Sequence, residues 1–304
     1  MDAVHFDMSL LSSPPLTSMD FHDSTFFQTS IPGAPVPELP TPAAVLEASS
    51  HRSSARGIVR FDDLNLFVKY GPPSYVRVEE ALALRAVNKA FPDKQVPTPE
   101  LFGWRVDGGK IFIYMGLVQG PTVSRSWETL TREDKESICE QLGQIIKHLR
   151  RIIRPSHFPL VGSINGGPVQ DLYFRGSDKR GPFSDVKAFH DTLQAEAIPR
   201  MPVSERPPDP YRCLLPDTVD VYFTHGDLNL GNIMLSDAPG PKKIVAIVDW
   251  EQAGWYPEHW EYCKLLLAEP CSGEWRVDGW ADKVVTPREE EFEAFGEYWH
   301  WRQP

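Results

Sequence analysis

The chain has 304 residues, 41% of them hydrophobic, and a formal net charge of −11; this is apolar mass enough for one large domain or two lobes sharing a cleft. The acidic balance disfavours nucleic acid, which is held by clustered Lys and Arg. No run approaches the ~18 apolar residues of a membrane span, no secretion signal opens the chain, and Cys139, Cys213, Cys263 and Cys271 form no CxxC pair, so no membrane contact, zinc site or disulfide framework is expected and the thiols suit a cytoplasmic protein.

Residues 1–50 are rich in Ser, Thr and Pro, with Pro14, Pro15, Pro32, Pro35, Pro37, Pro40 and Pro42 interrupting any helical or strand period, and they carry no Lys or Arg. They are expected to form a disordered leader. Six of the excess negative charges, Asp2, Asp7, Asp20, Asp23, Glu38 and Glu47, lie here. The net charge invites a cationic substrate, but the body itself is only mildly acidic.

Gly57 to Phe61 and Leu64 to Tyr70 are short β-branched and aromatic runs flanking Asp62 and Asp63, the pattern of a hairpin. A helix is expected from about Val76 to Phe91, on the spacing of Val78, Leu82, Leu84 and Val87. Strands at Leu101 to Val106 and Lys110 to Leu117 flank the turn Asp107, Gly108, Gly109. Residues 51–118 thus read as a small antiparallel sheet with one helix.

After Gly120 and Pro121 the pattern turns helical. Thr131 and Asp134 have capping-box spacing, and Ile138, Leu142, Ile145, Ile146, Leu149 and Ile153 mark one buried face. Ser184 to Ala197 predicts a further helix, Asp220 to Thr224 and Lys243 to Val248 predict strands, and helices close the chain at Pro257 to Ala268 and after Thr286. Residues 119–304 form a larger, mostly helical part.

The segment FTHGDLNLGNIML, Phe223 to Leu235, is followed by IVDWE with Asp249. A strand delivers His225 and Asp227 into a loop, Asn232 leaves the loop, and a second strand ends on Asp249, so three oxygen-bearing side chains converge at one end of a hairpin. Phosphoryl transfer requires a carboxylate to orient the attacking hydroxyl and oxygen ligands for magnesium. Asp227 suits the first role and Asn232 with Asp249 the second; His225 is assigned a supporting, structural part.

The HGDLNLGN segment with Asp249 downstream resembles the catalytic and metal-binding motifs of the aminoglycoside phosphotransferase and choline kinase superfamily, and DWEQAGWYPEHWEYCKL, Asp249 to Leu265, is similar to its fungal members. Over residues 55–300 the resemblance implies an α+β, bilobal, protein-kinase-like fold: an N-lobe over 51–118 and a C-lobe over 119–304, with ATP and Mg²⁺ between them. It implies a strand lysine on the phosphates, matched by Lys69, a helix glutamate fixing it, matched by Glu80, and an adenine contact along the lobe connection at Met115, Gly116 and Leu117. The chain departs from the kinase pattern in having no GxGxxG before Lys69, which leaves Ser53, Ser54 and Arg56 as candidates for covering the phosphates.

Other readings of these residues compete. Trp250, Trp255, Tyr256, Trp260 and Tyr262 are read as core ahead of an aromatic cage for a quaternary ammonium. Glu251, Glu258 and Glu261 serve either as a negative rim for an amine-bearing substrate or, for the latter two, as a solvated helix face. A metallophosphoesterase would need several downstream metal-binding histidines, for which His259 and His300 are too few and unpatterned, and a protein kinase would need an APE signature after Asp249. The expected function is an ATP- and Mg²⁺-dependent small-molecule kinase acting on a hydroxyl; the alternative is a catalytically inactive kinase-like module that binds nucleotide or a partner.

Overall fold

The computed structural model describes residues 3–6, 18–28, 35–49, 55–198, 203–206 and 208–302. Strands β1 (Val4–His5) and β2 (Met19–Asp20) and helix α1 (Pro42–Ala48) come from the leader. Strands β3 (Gly57–Phe61) and β4 (Leu66–Gly71), helix α2 (Val78–Ala90), and strands β5 (Leu101–Asp107) and β6 (Lys110–Gly116) follow. The second half contains α3 (Val123–Ser126), α4 (Arg132–Leu149), β7 (Ile152–Ile153), β8 (Gly162–Ser163), α5 (Val186–Ala197), β9 (Val221–Thr224), β10 (Ile233–Leu235), β11 (Ile244–Ile247), β12 (Gly254–Pro257), α6 (Trp260–Leu267), α7 (Glu274–Val277) and α8 (Glu289–Arg302).

The N-terminal sheet is antiparallel with order β2-β5-β6-β4-β3. Its β5–β6 turn uses Gly108 (φ 54°) and Gly109 (φ 74°), the consecutive left-handed pair that matches strand twist. Strand alternation divides its side chains. Ile111, Ile113 and Met115 join α2 and the α4 face in the main core, while Leu66, Val68, Tyr70, Phe112 and Tyr114 point to the opposite side.

That opposite side is covered by Phe27, Leu39 and Val45 of the segment expected to be disordered, of which residues 1–2, 7–17, 29–34 and 50 lie outside the described residues. Thr41 caps α1 by accepting the Ala44 N–H, Pro42 fills the first turn, and Val45 is fully buried with Phe27 and Leu39 against the sheet. Pro42, which interrupts a period in sequence, here starts a helix. Phe21 lies against Trp104, with the Arg85 guanidinium 3.7 Å from its ring, and Asp23 pairs with Arg85 and Lys89 on α2. At the other lobe β1 pairs in parallel with β7, and Phe6 packs edge-on to Phe223 behind the catalytic strand.

The second half builds on α4, whose Thr131–Asp134 capping box is formed, and on a separate aromatic core shared by α5, α6, α8 and β12. One expected boundary differs. The segment expected to enter a helix at Pro257 is β12, the central strand of the sheet β8-β12-β9, and the helix starts at Trp260. Pro257 is tolerated because it ends the strand, and Glu258 donates its N–H to Asp220 O at 2.9 Å instead. Among the described residues no helix is long and apolar enough to cross a membrane.

Candidate active site

β9 delivers His225 into a tight loop. Gly226 has φ 77°, and a Cβ there would meet Gln252 O at 2.8 Å, so glycine is required on both counts. The buried His225 ring accepts the Asp227 N–H at Nδ1 (3.1 Å), which leaves Nε2 to donate to Val248 O (3.1 Å). Burial draws its pKa down to about 4, so the ring stays neutral and holds the Asp227 loop against the residue preceding Asp249.

Glu261 on α6 completes this support. Its carboxylate accepts the N–H groups of His225 (2.8 Å) and Gly226 (3.2 Å) from a buried position. Neither the negative rim nor the solvated helix face describes it: both oxygens face inward onto the loop backbone. Glu258 pairs with Arg288 at 2.8 Å, and Glu251 with Lys69, so the proposed acidic rim does not form. The five aromatics from Trp250 to Tyr262 are all buried in the cores, which rules out an open cage.

Asn232 and Asp249 are brought together by the β10–β11 hairpin, since Asn232 precedes one strand, Asp249 follows its partner, and Val248 donates its N–H to Asn232 O at 2.9 Å. The Asn232 amide nitrogen donates to Asp227 O (2.8 Å) and Asp227 Oδ2 (3.0 Å). Its Oδ1 meets no protein donor among the described residues. Asp249 adopts a left-handed backbone (φ 64°), a region that short polar side chains tolerate best. Burial raises the Asp227 carboxyl to about 6, against the pull of Lys264.

Lys69 faces these groups from β4. Its ammonium lies 2.9 Å from Glu80 Oε2, 2.6 Å from Asp249 Oδ1 and 3.1 Å from Glu251 Oε2. Burial opposes its charge, but the three carboxylates prevail and hold its pKa well above the ordinary range. Glu79 turns ~100° away on the helix and makes no such contact. Glu251, two residues after Asp249, was not singled out as a lysine partner by sequence reasoning; the 3₁₀ turn at Trp250–Gln252 is what brings it back to Lys69.

Carboxylate oxygens of Glu80, Asp249 and Glu251 lie within 4.8 Å of one another, yet the Lys69 ammonium bonds to all three and takes the cation's place among them. The residues that could hold a divalent ion are Asn232, through Oδ1, and Asp249, through the oxygen not engaged by Lys69, both hard oxygen donors. Asp249 is 40% exposed, consistent with such a role.

A cleft of about 430 Å³ separates the lobes, lined by Lys69 and Glu80 above, Asn232, Met234 and Asp249 below, and the connection from Met115 to Gly120 at one end. Asp227 and His225 do not line it; Asp227 joins it through Asn232. Met115, Gly116 and Leu117, the expected backbone contact, all line the cleft. Met115 is paired on both sides in the sheet, and the N–H groups of Gly116 and Leu117 already donate to Glu100 O (2.8 Å) and Asn65 O (2.9 Å). Val118 carries the next N–H, which has no protein acceptor among the described residues. Ser53 and Ser54 lie outside the described residues. Arg56 stacks on Tyr75 with its guanidinium 4.1 Å from the ring.

An antiparallel sheet with one internal helix, joined by a short connection to a helical lobe and meeting it at a lysine held between a helix glutamate and a hairpin aspartate, is a bilobal kinase-like fold. More narrowly, the chain belongs to the APH phosphotransferase enzyme family, whose model matches residues 47–304. No curated protein matches the chain. Among solved structures it is similar to aminoglycoside phosphotransferase APH(3'')-Id from Streptomyces rimosus in complex with ADP and streptomycin, at 16% identity over 81% of this chain and 90% of that one, TM-score 0.48. The GDP complex of aminoglycoside 2'-phosphotransferase-IIIa is similar at 14% identity over 81% and 79%, TM-score 0.48. The streptomycin-ATP-APH(2'')-IIa ternary complex is similar at 14% identity over 84% and 87%, TM-score 0.46.

Proposed function

We propose that the chain is an ATP- and Mg²⁺-dependent small-molecule kinase that transfers the γ-phosphoryl group to a hydroxyl. The observation that carries this reading is the meeting of Lys69, Glu80 and Asp249 within 2.9 Å contacts at the wall of a cleft that also bears Asn232, itself hydrogen-bonded to Asp227.

In this reading Lys69, fixed by Glu80, neutralises the nucleotide phosphates, and the apolar walls near Met115 and Leu117 hold the base, with Val118 N–H as a hydrogen-bond donor to it. Asn232 Oδ1 and Asp249 would hold the metal, which when bound supplies charge neutralisation for the transferring group. Asp227, positioned by His225 and Asn232, aligns the acceptor hydroxyl and accepts its proton, a role suited to a carboxylate whose proton affinity is raised by burial.

The test is a pair of variants. Asp227→Ala should lower turnover by at least about a hundredfold while nucleotide affinity stays within about threefold. Asp249→Ala should weaken Mg²⁺-dependent nucleotide binding itself. Undiminished ATP-dependent phosphorylation by Asp227→Ala would remove the catalytic assignment. Tight nucleotide binding without turnover on any hydroxyl acceptor would favour the inactive module.

A further inference from the structure

On a chain with net charge −11, three guanidinium groups gather beyond the Lys69 end of the cleft. Arg77 stands at the N-cap of α2, and Arg175 and Arg180 belong to the irregular loop between β8 and α5. Arg77 Nη1 donates to Gln170 O at 3.2 Å, and Arg180 is paired through its carbonyl with the N–H of the adjacent Val169 at 2.9 Å. Arg175 lies 3.9 Å from Glu251 and 5.5 Å from the centre of the Tyr75 ring, over which Arg56 also sits.

These charges are not balanced. Glu251 is the one carboxylate within 4 Å of any of the three among the described residues, and it is already bonded to Lys69 at 3.1 Å. Arg180 has no acidic partner among the described residues. Burial, and after it the Arg180 charge, lower the pKa of Arg77, against the opposing pull of Glu251 and Glu79. Three guanidinium groups that share one carboxylate within 4 Å form a binding surface for planar oxyanions, which they bond in bidentate fashion. Its sign is opposite to that of the whole molecule, so a general basic surface does not explain it.

The location gives the surface a role. The base end of the cleft is the Met115–Gly120 connection, and none of the three arginines lines the cleft. Arg175 lies beside Glu251, on a loop that also bonds next to the metal-site hairpin, where Leu172 N–H donates to Gln252 Oε1 at 3.0 Å, and Arg77 is tied to the same loop at Gln170 O. In-line transfer requires the acceptor to approach from the side of the phosphates away from the base.

We propose that the hydroxyl-bearing acceptor is an anion, whose carboxylate or phosphate group is seated between Arg77, Arg175 and Arg180. This rests on the phosphotransfer reading and reverses the cationic acceptor suggested by net charge. Glu251 holds the site's charge in the absence of acceptor by contacting both Lys69 and Arg175.

The experiment is calorimetric titration of the full chain, saturated with Mg·ADP at fixed ionic strength, with glycerate, glycerol 3-phosphate, glycerol and ethanolamine. At least one of the two anions should bind at least about tenfold tighter than glycerol or ethanolamine, and which one does so separates a carboxylate from a phosphate subsite. The double variant Arg175→Gln with Arg180→Gln should lose that preference while ADP affinity stays within about twofold. Anions binding no tighter than glycerol, a preference that survives in the variant, or an equal loss of ADP affinity, which would assign the arginines to the nucleotide, each overturn the proposal. Binding is read without turnover, so an inactive protein would count against the kinase reading alone; if ADP itself fails to bind, the same titration without nucleotide still reads the anion preference.

Discussion

His225 has a partner on each ring nitrogen, whereas His190 and His259, buried with ring centres 5.1 Å apart, have no partner on any of their four. Burial lowers the pKa of His190 to about 4 and that of His259 well below the ordinary value. Both are therefore neutral in the folded chain, while in the unfolded chain they protonate near pH 6.5. Between these limits the unfolded state binds more protons, so stability falls as pH drops below about 6.5, by about 1.4 kcal/mol per histidine for each unit once well below that pH. His190→Phe, which fills the site without a titrating group, should flatten the decline in denaturant-derived stability from pH 6.5 to 4. An unchanged slope would show that other groups set it. The same scale divides what could be read from sequence. Asp227 with Asn232 and Asp249 were legible because their chemistry and spacing imply one another, whereas Lys69 with Glu80 followed from the family resemblance. Glu251 and Glu261 were not, because nothing in a glutamate's neighbours states whether it faces solvent, a lysine or a loop backbone.

At the scale of elements, the Asp227 loop depends on a helix that does not line the cleft. Glu261 lies in the first turn of α6 and satisfies two backbone N–H groups that would otherwise be buried without partners. Glu261→Ala leaves both unpaired, at about 1–3 kcal/mol each. It should lower the melting temperature by about 5 °C or more and reduce turnover more than it reduces nucleotide affinity, since the loop carries Asp227 and not Lys69. Undisturbed melting and turnover would remove Glu261 from the support of the loop. Most strands and helices of the sheet and the C-terminal half follow their apolar periodicity to within two or three residues. β12 escaped because GWYP reads as a turn followed by a helix start, and only pairing with β9 in the register Gly254↔Thr224 to Pro257↔Val221 makes it a strand.

For the whole molecule, the leader is a strap across both lobes: Phe6 anchors behind β9, Phe21 and Asp23 bind α2 and β5, and Val45 closes the outer face of the sheet. Phe6, Phe21, Phe27, Leu39 and Val45 are each no more than 9% exposed, and burying such a side chain stabilises by about 1.5–3 kcal/mol before ordering costs. Deleting residues 1–45 should therefore lower the melting temperature by more than about 5 °C and expose the outer sheet face to hydrophobic dyes. Melting within 1–2 °C of the full chain, roughly the shift of a single weak contact, would show that the strap contributes little.

From sequence alone come the lobes, the hairpin bearing Asn232 and Asp249, and the residues proposed for phosphotransfer, because strand and helix periods and a dense polar motif are local properties of a chain. Tertiary structure alone decided that a proline-rich leader covers a sheet, that Glu261 holds the Asp227 loop, and that Arg77 on α2 meets the loop carrying Arg175 and Arg180. Those outcomes depend on which surfaces meet across tens to hundreds of residues, and burial, which assigns each charge its partner, exists only after the surfaces have met.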